Sequence, residues 1–121
     1  MKDRVRQITK RSGGRSMRQV VEGLREYLPG WKNYFQLGQV KSVFEDLDKW
    51  IRRRVRMTLL KQWKRGLTIY SELRARGVPE RQARGVAAHA GRWWAMSTHL
   101  GINIALPAHV LHRAGIPRLA A

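Results

Sequence analysis

Apolar residues recur along this chain at helical spacing, and no segment alternates with period two. Val5 and Ile8, three apart in the basic stretch Met1–Arg11, read as one or two helical turns. Ser12-Gly13-Gly14-Arg15 reads as a loop, because paired glycines are costly inside a helix. Ser16 and Gln19 have capping-box spacing and open a helix whose Met17, Val20, Val21, Leu24 and Leu28 share one face. Pro29-Gly30 is expected to stop it. A short aromatic helix over Trp31–Leu37 then packs its rings inward, with Gly38 as its end.

Ser42 and Glu45 form a second capping box, opening the longest helix, about Val43 to Lys64. Val43, Phe44, Leu47, Trp50, Ile51, Val55, Leu59, Leu60 and Trp63 make its apolar stripe. Glu45, Asp46 and Asp48 come early and the cations late, an order that suits the helix dipole. Gly66 is expected to break this helix. Thr68–Arg76 follows, stopped by Gly77, and Pro79 opens a further helix to about His89. Beyond Gly91 and Trp93-Trp94, short helices are expected over His99–Leu106 and Ala108–Ala114. The fold class is therefore all-α: a small basic helical bundle with one long amphipathic helix, followed by short helices. A soft boundary near Gly66 separates residues 1–65 from residues 66–121.

Charge changes the picture most. There are 25 Lys and Arg against 8 Asp and Glu among 121 residues, a net charge of +17. Such a chain repels itself and is most easily accommodated beside a polyanion. Arg far outnumbers Lys, and its planar fork matches phosphate and stacks on bases. The densest run is Lys49, Arg52, Arg53, Arg54, Arg56, Lys61, Lys64 and Arg65, with no acid between Asp48 and Glu72. Arg52 with Arg56 and Lys61 with Arg65 are like charges at i, i+4, which destabilise an isolated helix. Lys49, Arg53, Arg56 and Lys64 are expected to lie away from the apolar stripe and to face external phosphates. The bland alternative is a solvated basic face.

Other chemistry is sparse. The chain has no cysteine, so disulfides and thiolate chemistry are excluded. His109 and His112 are three apart but have no nearby carboxylate, so no metal or cofactor is expected. Asp46 and Asp48 are two apart, point to different sides of a helix, and are read as dipole residues. No nucleophile-and-base set and no phosphate-binding glycine loop is present, so no catalytic site is expected. The N-terminus lacks an apolar signal-peptide core and no apolar run is long enough to span a membrane, which places the expected location in the cytoplasm, with no membrane partner. The Trp31–Phe35 cluster has two readings, exposed rings that stack on unpaired bases or core packing against Phe44, Trp50 and Trp63, and Trp31 and Tyr34 are read as core. Of Trp93 and Trp94, one is expected at the surface, since neighbours cannot share a helix face.

Leu28-Pro29-Gly30-Trp31-Lys32-Asn33-Tyr34-Phe35 resembles the GWxNYF motif of the group II intron maturase domain, the thumb of intron-encoded reverse transcriptases. Leu47-Asp48-Lys49-Trp50-Ile51-Arg52-Arg53-Arg54-Val55-Arg56 is similar to its LDxWIRRRLR, and Lys61-Gln62-Trp63-Lys64-Arg65 to its KQWKR. Leu73–Glu80 and Gly91–Ser97 are similar to the DNA-binding segment that follows the domain in bacterial members. The resemblance implies an RNA-binding module that grips group II intron RNA and assists its folding and splicing, with the RNA doing the chemistry. The polymerase carboxylates of the family lie upstream, and this sequence carries no such motif. Lys32, Lys49, Arg52, Arg53, Arg54, Arg56, Lys61, Lys64 and Arg65 are the expected RNA contacts. Arg81, Arg84, Arg92 and Trp94 are candidates for a DNA-contacting surface. Gly30, Trp31, Asn33, Tyr34, Phe35, Trp50 and Trp63 are assigned to structure. The implied partners are structured intron RNA, a DNA target and upstream reverse-transcriptase domains. The alternatives are a stand-alone basic nucleic-acid-binding protein, a remnant of a decayed intron, and a membrane-surface protein.

Overall fold

The computed structural model describes residues 1–10, 16–35 and 41–120, and for residues 33–35 and 41 the backbone alone. The described residues form eight α-helices and no strand, as an all-α chain should. The loop expected at Ser12–Arg15 and the stop expected at Gly38 lie outside the described residues, as do the side-chain roles of Asn33, Tyr34 and Phe35. Packing divides the chain into two compact units, Met1–Arg52 with Ala108–Ala121, and Arg53–Pro107.

The first unit holds α1 (Lys2–Ile8), α2 (Met17–Phe35), the opening half of α3 (Lys41–Trp63) and α8 (Ala108–Arg113). Val5 and Ile8 of α1 are buried, as are Val20, Leu24 and Leu28 of α2 and Phe44 and Ile51 of α3. These belong to the apolar stripes of the sequence, and each fully buried Leu or Ile contributes about 1.5–3 kcal/mol. Val43, expected at the head of the α3 stripe, is exposed, because it lies one position before buried Phe44 and off its face. The Ser16 capping box forms in both directions: the Gln19 amide donates to Ser16 Oγ at 3.3 Å, and the Ser16 amide to Gln19 Oε1 at 2.9 Å.

Two boundaries in this unit differ from expectation. The helix opened by Ser16 does not stop at Pro29-Gly30 but runs on to Phe35. Proline removes the hydrogen bond to the carbonyl four residues back. That residue, Arg25, is exposed, so water can serve its carbonyl. Beyond the proline, Trp31 packs edge-on against Phe44, ring centroids 5.9 Å apart at 81°, which favours continuing the helix. The second difference is at α3, which begins at Lys41 and places Ser42 inside the first turn rather than at its cap.

The second unit holds the closing half of α3 with α4 (Gly66–Ala75), α5 (Glu80–Ala87), α6 (Trp93–Met96) and α7 (Leu100–Ala105). Lys64, with φ of 62°, takes the left-handed conformation that ends α3. Gly66 is not the breaker but the first residue of α4, where a Cβ would sit 2.9 Å from the Ala87 carbonyl oxygen. Its missing side chain lets α4 approach α5. Ile69, Leu73, Ala83, Val86, Ile102 and Ala105 are buried in α4, α5 and α7. At the expected stop of α4, the Gly77 amide donates to Arg74 O (3.0 Å) and the Val78 amide to Leu73 O (3.1 Å), with Leu73 and Val78 both buried. This pattern satisfies the last carbonyls of the helix.

Candidate nucleic-acid interface

In the first unit, α3 turns its buried side inward through Phe44, Asp48 and Ile51, which leaves Lys49 exposed and Arg52 half-buried. The Arg52 guanidinium lies 3.3 Å from His112 Nε2. His112 Nδ1–H donates to Ile116 O at 2.8 Å, which leaves Nε2 as the acceptor for Arg52. Lys32, near the end of α2, is half-buried and already engaged within the protein. Trp50 carries the ammonium of Lys2 at 5.1 Å and the guanidinium of Arg6 at 5.4 Å from its ring centroid.

Asp48 is not the solvent-facing dipole residue that its sequence position predicts. Sequence reasoning placed it at the helix start as a dipole residue. It is 3% exposed, and its two carboxylate oxygens accept from the amides of Leu119 (2.8 Å) and Ala120 (3.0 Å). It clamps the returning tail of residues 108–120 onto α3. Nothing local could reveal this, because the partners lie 71 and 72 residues away.

In the second unit the three consecutive arginines divide by role. Arg53 donates from Nε to Ser97 Oγ and from Nη2 to Trp94 O, both at 2.9 Å, and its guanidinium lies 3.7 Å from the Trp94 ring centroid. Trp94 is 39% exposed, so the aromatic pair resolves as expected, with Trp94 the more open and Trp93 half-buried. Arg54 is half-buried, with Nη1 3.9 Å from Met57 Sδ. Arg56 departs from the outward-facing position expected of it: it is 8% exposed and donates from Nε to Leu106 O at 2.9 Å. It sits one turn beyond the arginine triplet, on the side occupied by buried Val55 and Leu60. Lys61 is half-buried and engaged, whereas Lys64 and Arg65 are exposed at the junction between α3 and α4. Trp63 lies under the Arg76 guanidinium, 5.1 Å from its centroid.

Of the candidates on the later helices, Arg81, Arg84 and Arg92 are all exposed. Arg84 is ion-paired with Glu80 at 2.7 Å. Four ion pairs, Arg6–Asp3, Arg18–Glu22, Arg76–Glu72 and Arg84–Glu80, join near neighbours along α1, α2, α4 with its C-cap, and α5, and being solvent-exposed each contributes little, about 0–1 kcal/mol. None involves α3. Lys49, Arg52, Arg53, Lys64 and Arg65 therefore have no acidic partner among the described residues.

Among the described residues no group of three His, Asp or Glu side chains could hold a metal ion, and no helix is long and apolar enough to cross a membrane. Residues 1–77 match the family described as "Group II intron, maturase-specific domain". No curated protein matches the chain.

Proposed function

The chain belongs to the group II intron maturase-specific domain family, and from that premise we propose that it binds group II intron RNA and assists its folding and splicing, contributing no catalytic group of its own. The observation that carries this reading is the acid-free stretch from Lys49 to Ser71, whose Lys49, Arg52, Arg53, Lys64 and Arg65 have no acidic partner among the described residues. Like charges collected on one helix destabilise it unless anions are supplied from outside. A phosphodiester backbone supplies them.

We assign the phosphate contacts to Lys49, Arg52, Lys64 and Arg65, with Arg53 offering its guanidinium plane from its rest on Trp94. Lys32, Arg54 and Lys61 are supporting contacts. Arg56 is left out because of its burial. Functionally, residues 1–65 form the maturase part. Residues 66–121 face a DNA target through exposed Arg81, Arg92 and Trp94, with Arg84 available once released from Glu80. In the full intron-encoded protein, reverse-transcriptase domains are the remaining partner.

The test is a filter-binding titration over several salt concentrations with folded group II intron RNA, an unrelated structured RNA and duplex DNA. The expected result is tighter binding to intron RNA with a steep salt dependence. Lys49→Ala combined with Lys64→Ala should flatten that dependence by about one unit of slope per lost contact. Equal, weak binding to all three polyanions would sink the maturase reading.

A further inference from the structure

We propose that the returning tail of residues 108–120 completes a phosphate-binding pocket on α3, with Arg118 as its third cation. This site deepens the RNA-binding reading above and takes its ligand from it. A groove of about 380 Å³ in the first unit is lined by Glu45, Asp48, Lys49, Arg52, Ala108, Arg118 and Ala120. Lys49 and Arg52 come from successive turns of α3, and Arg118 from a part of the chain far beyond the matched residues 1–77.

Arg118 is held on both sides. Immediately after it, the Leu119 and Ala120 amides are bound by Asp48. Before it, Ile116 O accepts from His112, and Gly115 turns the chain with φ of 117° where a Cβ would strike Val21 Cγ1 at 2.9 Å. Ile116 and Leu119 are buried on either side of the exposed arginine. The backbone that carries the cation is thus fixed in place before any ligand arrives, which lowers the entropy lost on binding.

The two acids of the groove offset part of its charge but not all of it, since three cations line it against two carboxylates. Both oxygens of Asp48 are occupied by backbone amides, and no ion pair joins Glu45 or Asp48 to the three cations among the described residues. Two guanidinium groups and an ammonium around one opening, with donors still to satisfy, suit a phosphate group. The ligand is a phosphodiester of nucleic acid.

The experiment repeats the salt-dependent titration with Arg118→Gln, a surface change that spares the core, and with Lys10→Gln as an exposed cation outside the pocket. Inorganic phosphate is titrated in parallel while arginine Nε–H resonances are followed by NMR. Arg118→Gln should reduce the salt slope on RNA by about one unit, Lys10→Gln by less than half as much, and phosphate should move the Arg118 and Arg52 resonances. Asp48→Asn, which weakens the clamp, should lower the slope in the parent protein but add nothing in the Arg118→Gln background. An additive loss would overturn the role given to the clamp. An unchanged slope for Arg118→Gln overturns the pocket, even where intron RNA is still preferred. Conversely, a slope that drops while the parent shows no preference for intron RNA leaves the pocket standing and removes the maturase reading.

Discussion

Arg53 and Arg56 leave the same helix three residues apart, and the sequence offers no reason to treat them differently. Arg53 rests on Trp94 beside solvent, whereas Arg56 is buried with Nε bonded to Leu106 O. A buried hydrogen bond from a charged donor is worth about 1.5–3 kcal/mol, and losing it also orphans the acceptor. Arg56→Ala should therefore lower stability by about 2–3 kcal/mol in urea denaturation while leaving the salt slope of RNA binding unchanged. A flattened slope with intact stability would place Arg56 back among the contacts. The residue-scale features that sequence made legible were local ones. The Ser16–Gln19 box is a three-residue spacing, and it forms. Asp48 and Arg56 escaped because their partners are 50 or more residues away, and no periodicity reports a contact of that kind.

Helical periodicity gave the approximate placement of most elements, since apolar spacing is imposed by the same geometry that buries the residues, but it split α2 at Pro29-Gly30 and offered no helix for Trp93–Met96. It missed the ending of α2, and at the end of α3 it placed the stop correctly but assigned it to Gly66. Proline was expected to terminate α2 and does not; the cost of an interior proline is tolerated rather than avoided. Pro29→Ala should restore the missing hydrogen bond and raise stability by about 2 kcal/mol, the roughly 3 kcal/mol cost of an interior proline less the entropy it removes from the unfolded chain. An unchanged or lower melting temperature would mean that α2 depends on the proline's fixed geometry. The end of α3 falls on Lys64, a non-glycine residue with positive φ. That conformation costs about 1–2 kcal/mol for an L-residue and is expected where function requires it. Lys64→Gly should accordingly raise stability by up to about 1 kcal/mol in thermal unfolding and at the same time reduce the RNA salt slope by about one unit. A variant that gains stability without losing slope would show the strain to be incidental to RNA binding.

For the whole molecule, the net charge of +17 acts in opposite senses on folding and on binding. Added salt screens self-repulsion and should raise the melting temperature of the free protein, while the same salt weakens its complex with RNA. A free protein whose melting temperature falls with sodium chloride would contradict the self-repulsion argument. The charge was legible in composition alone, but the grouping of residues was not. A change of composition near Gly66 suggests a boundary there, whereas packing assigns residues 53–107 to one unit and gathers 1–52 with 108–121 into the other. The functional division we propose at residue 65 is thus distinct from the packing units. The clamp from Asp48 to Leu119 has a kinetic corollary. One unit is contiguous and can form as soon as its own residues leave the ribosome. The other is interrupted, and its buried Leu111, Ile116 and Leu119 arrive only after the whole of the contiguous unit has been made. During that interval Asp48 lacks its amide partners, and Leu111, Ile116 and Leu119 are not yet buried once they emerge. Closing so long a loop is slow, and an uncovered apolar surface is prone to aggregate. On the function proposed above, a nascent chain that binds its RNA during that interval would pass it with its charge neutralised, so synthesis beside that RNA is the circumstance in which this chain would fold most safely.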